Sequence, residues 1–336
     1  MKALRSLVPA FVVAAAVALL AACSGPREDA QAPAEAGRTA IRFATDWRAQ
    51  AEHGGFYQAL ASGEYARRGL DVRIVQGGPG VNVPQLLAAG AVDLGMGSNS
   101  FIVMNLANEG VPVKAVAAYM QKDPQVLMAH PDTGAERIAD LKGRPILLSD
   151  ASVAAFWVWL KAKYGFTDDQ VRKYTFNPAP FIADKRAVQQ GYVTSEPYTI
   201  QKQAGFAPKV FLLADEGYPG YATMVLAPDA LIASNPAAVQ AFVEATAKGW
   251  RDYLYGDPAA ADALIRKDNP EMTQDVLDQA REKMRAYRIV EGDEGLPVGA
   301  MTEARWTAFA EVAKAQGVYP AALDPRRAYT LQFAPK

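Results

Sequence analysis

Along this chain the apolar positions keep two rhythms: short runs bounded by turn residues, and longer stretches in which an apolar face recurs every three to four positions. The first kind reads as buried strands and the second as amphipathic helices. From residue 40 the order is a strand at 40–45, a helix at 56–65, a strand at 71–75, a helix at 83–89, a strand at 92–96, a helix at 99–108 and a strand at 113–119. Strands and helices in alternation specify a parallel α/β lobe.

A second lobe is predicted after Pro124. It comprises an extended apolar segment at 125–129, a strand at 145–148, a helix at 151–164, a helix through 184–191 that ends at Gly191, and apolar segments at 192–194 and 210–213. Residues 221–227 read as a strand that returns to the first lobe. Strong helical periodicity then fills 237–255, 258–267, 273–287 and 302–316, with Asn235, Asp257 and Thr302 as helix starts. The predicted division is 39–125 plus 222–336 for the first lobe and 126–221 for the second. Two crossovers between lobes make a hinge, so the halves can close over a ligand.

The first residues follow another plan. Lys2 and Arg5 precede an uncharged apolar run at 7–20, which is short for a bilayer span and has the layout of a secretory signal. Leu20-Ala21-Ala22-Cys23 looks like a bacterial lipobox, so residues 1–22 are expected to be a lipoprotein signal peptide and Cys23 the lipidated residue. Residues 23–38, with Pro26, Pro33 and no apolar period, read as a flexible tether. The expected location is the periplasmic side of the cell envelope, with a membrane reached only through the lipid.

Composition narrows the chemistry. Cys23 is the single cysteine, so there is no disulfide framework, no cysteine metal cluster and, once it is acylated, no thiol nucleophile. The two histidines, His53 and His130, lie far apart and give no metal-ligand spacing. A formal net charge of −1 on 336 residues gives no support for nucleic-acid binding. Neither a metal nor another cofactor is expected.

The strings Thr45-Asp46-Trp47, His53-Gly54-Gly55-Phe56-Tyr57, Gly69-Leu70-Asp71-Val72, Gly77-Gly78-Pro79, Gly90-Ala91-Val92-Asp93 and Gly191-Tyr192-Val193-Thr194-Ser195-Glu196-Pro197 resemble the thiamine-pyrimidine family of periplasmic binding proteins. That family is related in fold to the fungal thiamine-pyrimidine synthases. The resemblance implies a type II periplasmic binding fold with a ligand cleft between two lobes. It also implies a monomeric substrate-binding subunit that works with a separate ABC permease and ATPase. It implies a small nitrogen-containing aromatic ligand of the hydroxymethylpyrimidine type, with Trp47, His53, Tyr57 and Glu196 as contacts. Another flat vitamin or base, riboflavin-like or purine-like, and an alkanesulfonate or taurine are the alternatives. The synthases carry a cysteine-rich run that this chain lacks, so an enzyme is not expected.

In open α/β sheets ligands sit beyond the carboxyl ends of the strands. Asp46-Trp47, residues 77–82 and Ser98-Asn99 all follow predicted strands. Trp47 and Tyr57 are expected to sandwich a flat ring, with Glu196 approaching from the other lobe to accept hydrogen bonds from it. The two glycines after His53 are read as letting backbone approach the ligand. Asn82, Ser98 and Asn99 either orient the ligand's polar edge or cap helices, and Tyr221 is a further candidate contact at the return strand. Asp150, at a second-lobe helix start, would repel a phosphate or sulfonate. The Gln76-Gly77-Gly78-Pro79-Gly80 run lacks the Lys-Ser or Lys-Thr of a phosphate loop and reads as a tight turn.

Overall fold

The computed structural model describes residues 37–78 and 80–335. The expected signal peptide, the lipidated Cys23, most of the tether and Pro79 lie outside the described residues. In chain order the strands are β1 (Thr39–Ala44), β2 (Leu70–Val75), β3 (Leu94–Asn99), β4 (Val113–Met120), β5 (Gln125–Ala129), β6 (Ile146–Leu148), β7 (Val171–Lys173), β8 (Val188–Tyr192), β9 (Lys209–Leu212) and β10 (Ala222–Pro228). They form two five-stranded sheets, ordered β2-β1-β3-β10-β4 and β7-β6-β8-β5-β9.

Both sheets are built in the same way. In the first, β1 runs parallel to β2 and β3, while β10 is antiparallel to β3 and β4. In the second, β6 runs parallel to β7 and β8, while β5 is antiparallel to β8 and β9. The one antiparallel strand in each is the strand that has just crossed from the other sheet. The crossovers occupy residues 121–124 and 213–221. This is the two-lobed α/β architecture of periplasmic binding proteins.

Burial explains the placement. β10 and β4 are buried almost throughout, as near-continuous apolar strands covered on both faces must be, whereas β2 at the edge exposes Arg73. The outer edge of β4 is covered by the C-terminal segment. Ala115 N donates to Ala328 O at 2.9 Å and Ala118 N to Gly299 O at 3.1 Å, which leaves less free edge for another chain to pair with. Asn235 caps the helix Pro236–Tyr255 by accepting from Ala238 N, and Thr302 caps Glu303–Ala315 by accepting from Arg305 N, as the sequence indicates.

Three elements differ from expectation. Residues 184–191 are not a helix: a short helix at Ala179–Ala183 is followed by β8, which pairs on both sides, and Gly191 lies inside that strand. Its glycine serves space rather than a helix end, since a Cβ there would stand 2.8 Å from Glu196 Cβ and from Met128 Cε. The predicted 56–65 helix is broken at Gly63, with φ 74°, into Gly54–Ala61 and Glu64–Arg67. The 151–164 helix is divided into Asp150–Val153 and Phe156–Tyr164.

Gly54 and Gly55 are packed against Tyr253 and Trp250. They let the helix Gly54–Ala61 lie directly on Pro236–Tyr255: a Cβ on Gly55 would stand 2.2 Å from Trp250 Cγ, and one on Gly249 would stand 2.2 Å from Gly55 O. Among the described residues no helix is long and apolar enough to cross a membrane. Replacing Gly55 with alanine is expected to destabilise the protein by about 1–3 kcal/mol, because the methyl group forces two packed helices apart. Urea denaturation measures this, and an unchanged midpoint would show that the two helices do not meet at Gly55.

Candidate functional site

The carboxyl ends of parallel strands from both lobes face one another, which brings the segments after β1, β3, β7 and β8 together. Trp47, after β1, meets Phe176, after β7, with ring centroids 5.5 Å apart and planes inclined at 39°. Tyr174 lies behind Phe176 at 5.3 Å. Phe176 is 58% exposed and has φ 61°, an unusual backbone for a bulky side chain, and that conformation presents the ring across the gap. Other contacts tie the lobes beside the rings. The Thr194 hydroxyl donates to Glu52, Gln279 Nε2 donates to Thr194 O, and Lys202 pairs with Asp275 at 2.8 Å.

The loop that carries Asp46 and Trp47 is fixed by its neighbours. The Thr45 hydroxyl donates to Trp47 O at 2.8 Å, and Gly77 N donates to the same oxygen at 3.2 Å. Only glycine fits there, since a Cβ on residue 77 would stand 2.4 Å from Thr45 O. His53 Nε2 is 3.2 Å from one Asp46 oxygen, and the Ser98 hydroxyl donates to the other. Burial pushes the Asp46 carboxyl up, but the His53 and Ser98 contacts outweigh it and hold the group below the usual carboxylate range. His53 is wholly buried, so it and Ser98 support the Asp46 carboxylate from behind.

On the second lobe, Gly191 makes room for Glu196 to fold back and accept from Tyr192 N at 2.8 Å. Burial raises the Glu196 carboxyl to about 7 against that hydrogen bond, and the charge of Glu52 adds to the rise. At the first crossover, burial raises Asp123 to about 7, although Gln125 N donates to it at 3.0 Å. The Tyr192 phenol is pushed well above its ordinary value by burial and by Asp123, Asp46, Glu52 and Glu196. Four acids therefore converge on one phenol. Among the described residues no lysine or arginine pairs with Asp46, Glu52 or Glu196.

The remaining predicted contacts lie elsewhere. Tyr57 is buried in the first lobe and donates to Asp268 at 2.9 Å, so it does not complete a sandwich with Trp47; Phe176 stands opposite the indole instead. Asn99 caps the helix Ser100–Glu109 and Asn82 caps Val83–Ala88. Asp150 is exposed and paired with Lys173 at 2.9 Å, which offsets the charge expected to repel anions. Tyr221 is buried at the second crossover, where its hydroxyl accepts from Thr302 N and its ring lies 4.1 Å from the Arg305 guanidinium carbon. Glu52, Asp123, Tyr174, Phe176 and Tyr192 were not anticipated. The signal for Tyr192 and Glu52 was their position beside Glu196 and His53; nothing local marks Phe176.

With this geometry in hand, the comparisons are decisive for family. A family model described as NMT1/THI5 like matches residues 50–261. The chain belongs to the NMT1/THI5-like family. It is 26% identical to the riboflavin-binding protein RibY of Chloroflexus aurantiacus across 95% of each chain. It is 27% identical to the formylaminopyrimidine-binding protein of Halalkalibacterium halodurans across 64% of each. The periplasmic aliphatic sulphonate binding protein SsuA of Escherichia coli shares the fold with a TM-score of 0.66 and 14% identity, over 87% of this chain and 92% of that one. This member of the NMT1/THI5-like family is a substrate-binding protein of the ABC importer type, not an enzyme.

The raised acids set a pH dependence. Between the ordinary carboxyl value of 4.5 and about 7 the folded protein holds the Glu196 proton more tightly than the unfolded chain does, so stability contributed by the neutral acid falls as pH rises through that window. Asp123 adds the same sign between 3.8 and about 7. Glu196→Gln is expected to flatten the slope, and unfolding free energies at pH 5 and pH 8 measure it. A wild-type protein with no greater loss of stability between those pH values than the variant would contradict the burial of this acid.

Proposed function

We propose that this protein captures a flat nitrogen heterocycle rich in N–H groups between Trp47 and the Phe176 face of the opposite lobe. The ring contact across the lobes, flanked by Asp46 and Glu196, carries this reading. For a third ring to stack between Trp47 and Phe176, the centroids must separate from 5.5 Å to about 7 Å, a small opening. Residues 39–125 with 222–336 would move as one body and 126–221 as the other, turning about the two crossovers.

The charges select the guest. An ionised carboxylate only accepts hydrogen bonds, so Asp46 favours ring N–H and amino groups and disfavours sulfonate or phosphate, while Glu196, raised to about 7, accepts from such groups when ionised. Both curated relatives are named for ligands that contain a pyrimidine ring, fused in riboflavin and free in formylaminopyrimidine, which supports the same class. The ligand-loaded protein would present the heterocycle to an ABC permease and ATPase from outside the cytoplasmic membrane, as a monomer held there by a lipid on Cys23.

Riboflavin or formylaminopyrimidine is expected to raise the melting temperature of the purified protein, and taurine is not. Trp47→Ala and Phe176→Ala are each expected to weaken the better ligand by about 1–3 kcal/mol, roughly five- to 150-fold, in titration calorimetry. Taurine binding in preference to both heterocycles, or full affinity in both alanine variants, would defeat the proposal.

A further inference from the structure

Beside the ring contact the first lobe has a second feature that the proposed function does not use. A cavity of about 460 Å³ opens at Asp46 and Ser98 and continues between the helices Val83–Ala88 and Ser100–Glu109. Ile102, Asn105 and Glu109 share one face of the second helix and line it. At 1.5 Å per residue they make a trough about 10 Å long. Even at the ~30 Å³ that a water molecule takes in the liquid, such a cavity has room for about fifteen heavy atoms, more than a single pyrimidine ring needs.

Its polar groups are of both kinds. The Tyr319 hydroxyl donates to Asn105 Oδ1 at 2.7 Å, which leaves the Asn105 amide nitrogen free to donate. Gln85 N donates to Asn82 Oδ1 at 3.1 Å, which leaves the Asn82 amide nitrogen in the same condition. Asp46 and Glu109 can only accept. Among the described residues no lysine or arginine lines the trough. Donors and acceptors set along an otherwise apolar channel suit a chain of hydroxyl groups, each of which both gives and takes a hydrogen bond. A bare alkyl chain would leave them unmatched, and a phosphate would meet Asp46 and Glu109 with the wrong charge.

We infer that the trough receives a neutral, hydroxylated side chain, so that the ligand is a flat nitrogen heterocycle carrying a polyol tail rather than a bare ring. This rests on the ring site proposed above. The ring would lie at Trp47 and the tail would pass Asp46 and Ser98 toward Asn105 and Glu109.

The test compares riboflavin, lumiflavin, which has a methyl group in place of the hydroxylated chain, and riboflavin 5′-phosphate, with formylaminopyrimidine as the small-ring probe. Wild-type protein is expected to bind riboflavin about tenfold or more tighter than lumiflavin, as one or two charge-assisted hydrogen bonds would give. The phosphate should bind more weakly than riboflavin. The doubly substituted Asn105→Leu, Glu109→Leu protein should lose about that same factor for riboflavin and none for lumiflavin, which also shows that it is folded. Glu109→Gln alone should narrow the gap between riboflavin and its phosphate. Equal affinity for riboflavin and lumiflavin, or variants that weaken both alike, would overturn the tail site and leave the ring site standing. Binding of formylaminopyrimidine but of neither flavin would overturn the tail as well. Failure of all four probes would overturn the ring reading on which it rests.

Discussion

Carboxylic acids placed between two lobes with no lysine or arginine among the described residues to pair Asp46, Glu52 or Glu196 are costly, and the site depends on how that cost is met. The two lobes meet it differently. Asp46 stays ionised because His53 and Ser98 supply hydrogen bonds from behind, and those bonds outweigh the penalty of burial. For Glu196 burial outweighs the hydrogen bonds from the Tyr192 amide and from its own backbone, and the charge of Glu52 adds to the rise, so its carboxyl rises to about 7 and the proton is held near neutrality. One wall is thus a fixed acceptor and the other a group that switches between donor and acceptor. On the proposed reading a guest with N–H groups beside a carbonyl or ring nitrogen answers both, whereas an anion is opposed by the ionised Asp46.

The fold makes this pairing possible by repeating itself. Each sheet has the same strand order, and each exchanges a single antiparallel strand with the other half, so the carboxyl ends of two parallel sets are turned toward each other. Close approach of backbone keeps the loops exact in position. Gly77 lets the segment after β2 buttress Thr45 to Trp47, and Gly191 lets Glu196 fold back over β8. The helix Gln274–Ala286 belongs to the C-terminal part of the chain, yet it reaches the second lobe through Gln279 and Asp275. Any rotation of the lobes must break or re-form these polar contacts along with the one between Glu52 and Thr194.

Much of this could be read from the residues alone, and the boundary of what could is physical. Alternating strands and helices, the return strand near 222 and the helix caps Asn235 and Thr302 are local patterns, and they appear as expected, whereas the helix expected to start at Asp257 begins at Ala259, with Pro258 rather than Asp257 at its cap position. Trp47 and Glu196 sit directly after strands, where topology alone sends them toward a cleft. Tyr57 departs from expectation because a tyrosine on an amphipathic helix gives no sign of which face its hydroxyl serves, and here Asp268, over two hundred residues away, claims it. Gly54 and Gly55 depart from it for the same reason, since their purpose lies in Trp250 and Tyr253. Phe176 was invisible: a lone aromatic in a loop acquires meaning only when a second lobe brings Trp47 to it.

The likeness to SsuA is one of frame. A protein 14% identical keeps nearly the whole frame and is named for aliphatic sulphonate, so the sheets themselves do not choose the ligand. What differs must lie in the few residues at the strand ends and in the spaces that open from them. In this chain those positions hold four aromatic rings, four acids and a trough lined by amides and acids on the first lobe. The frame brings two edges together, and the chemistry set on those edges, neutral to acidic and flat, decides what they close upon.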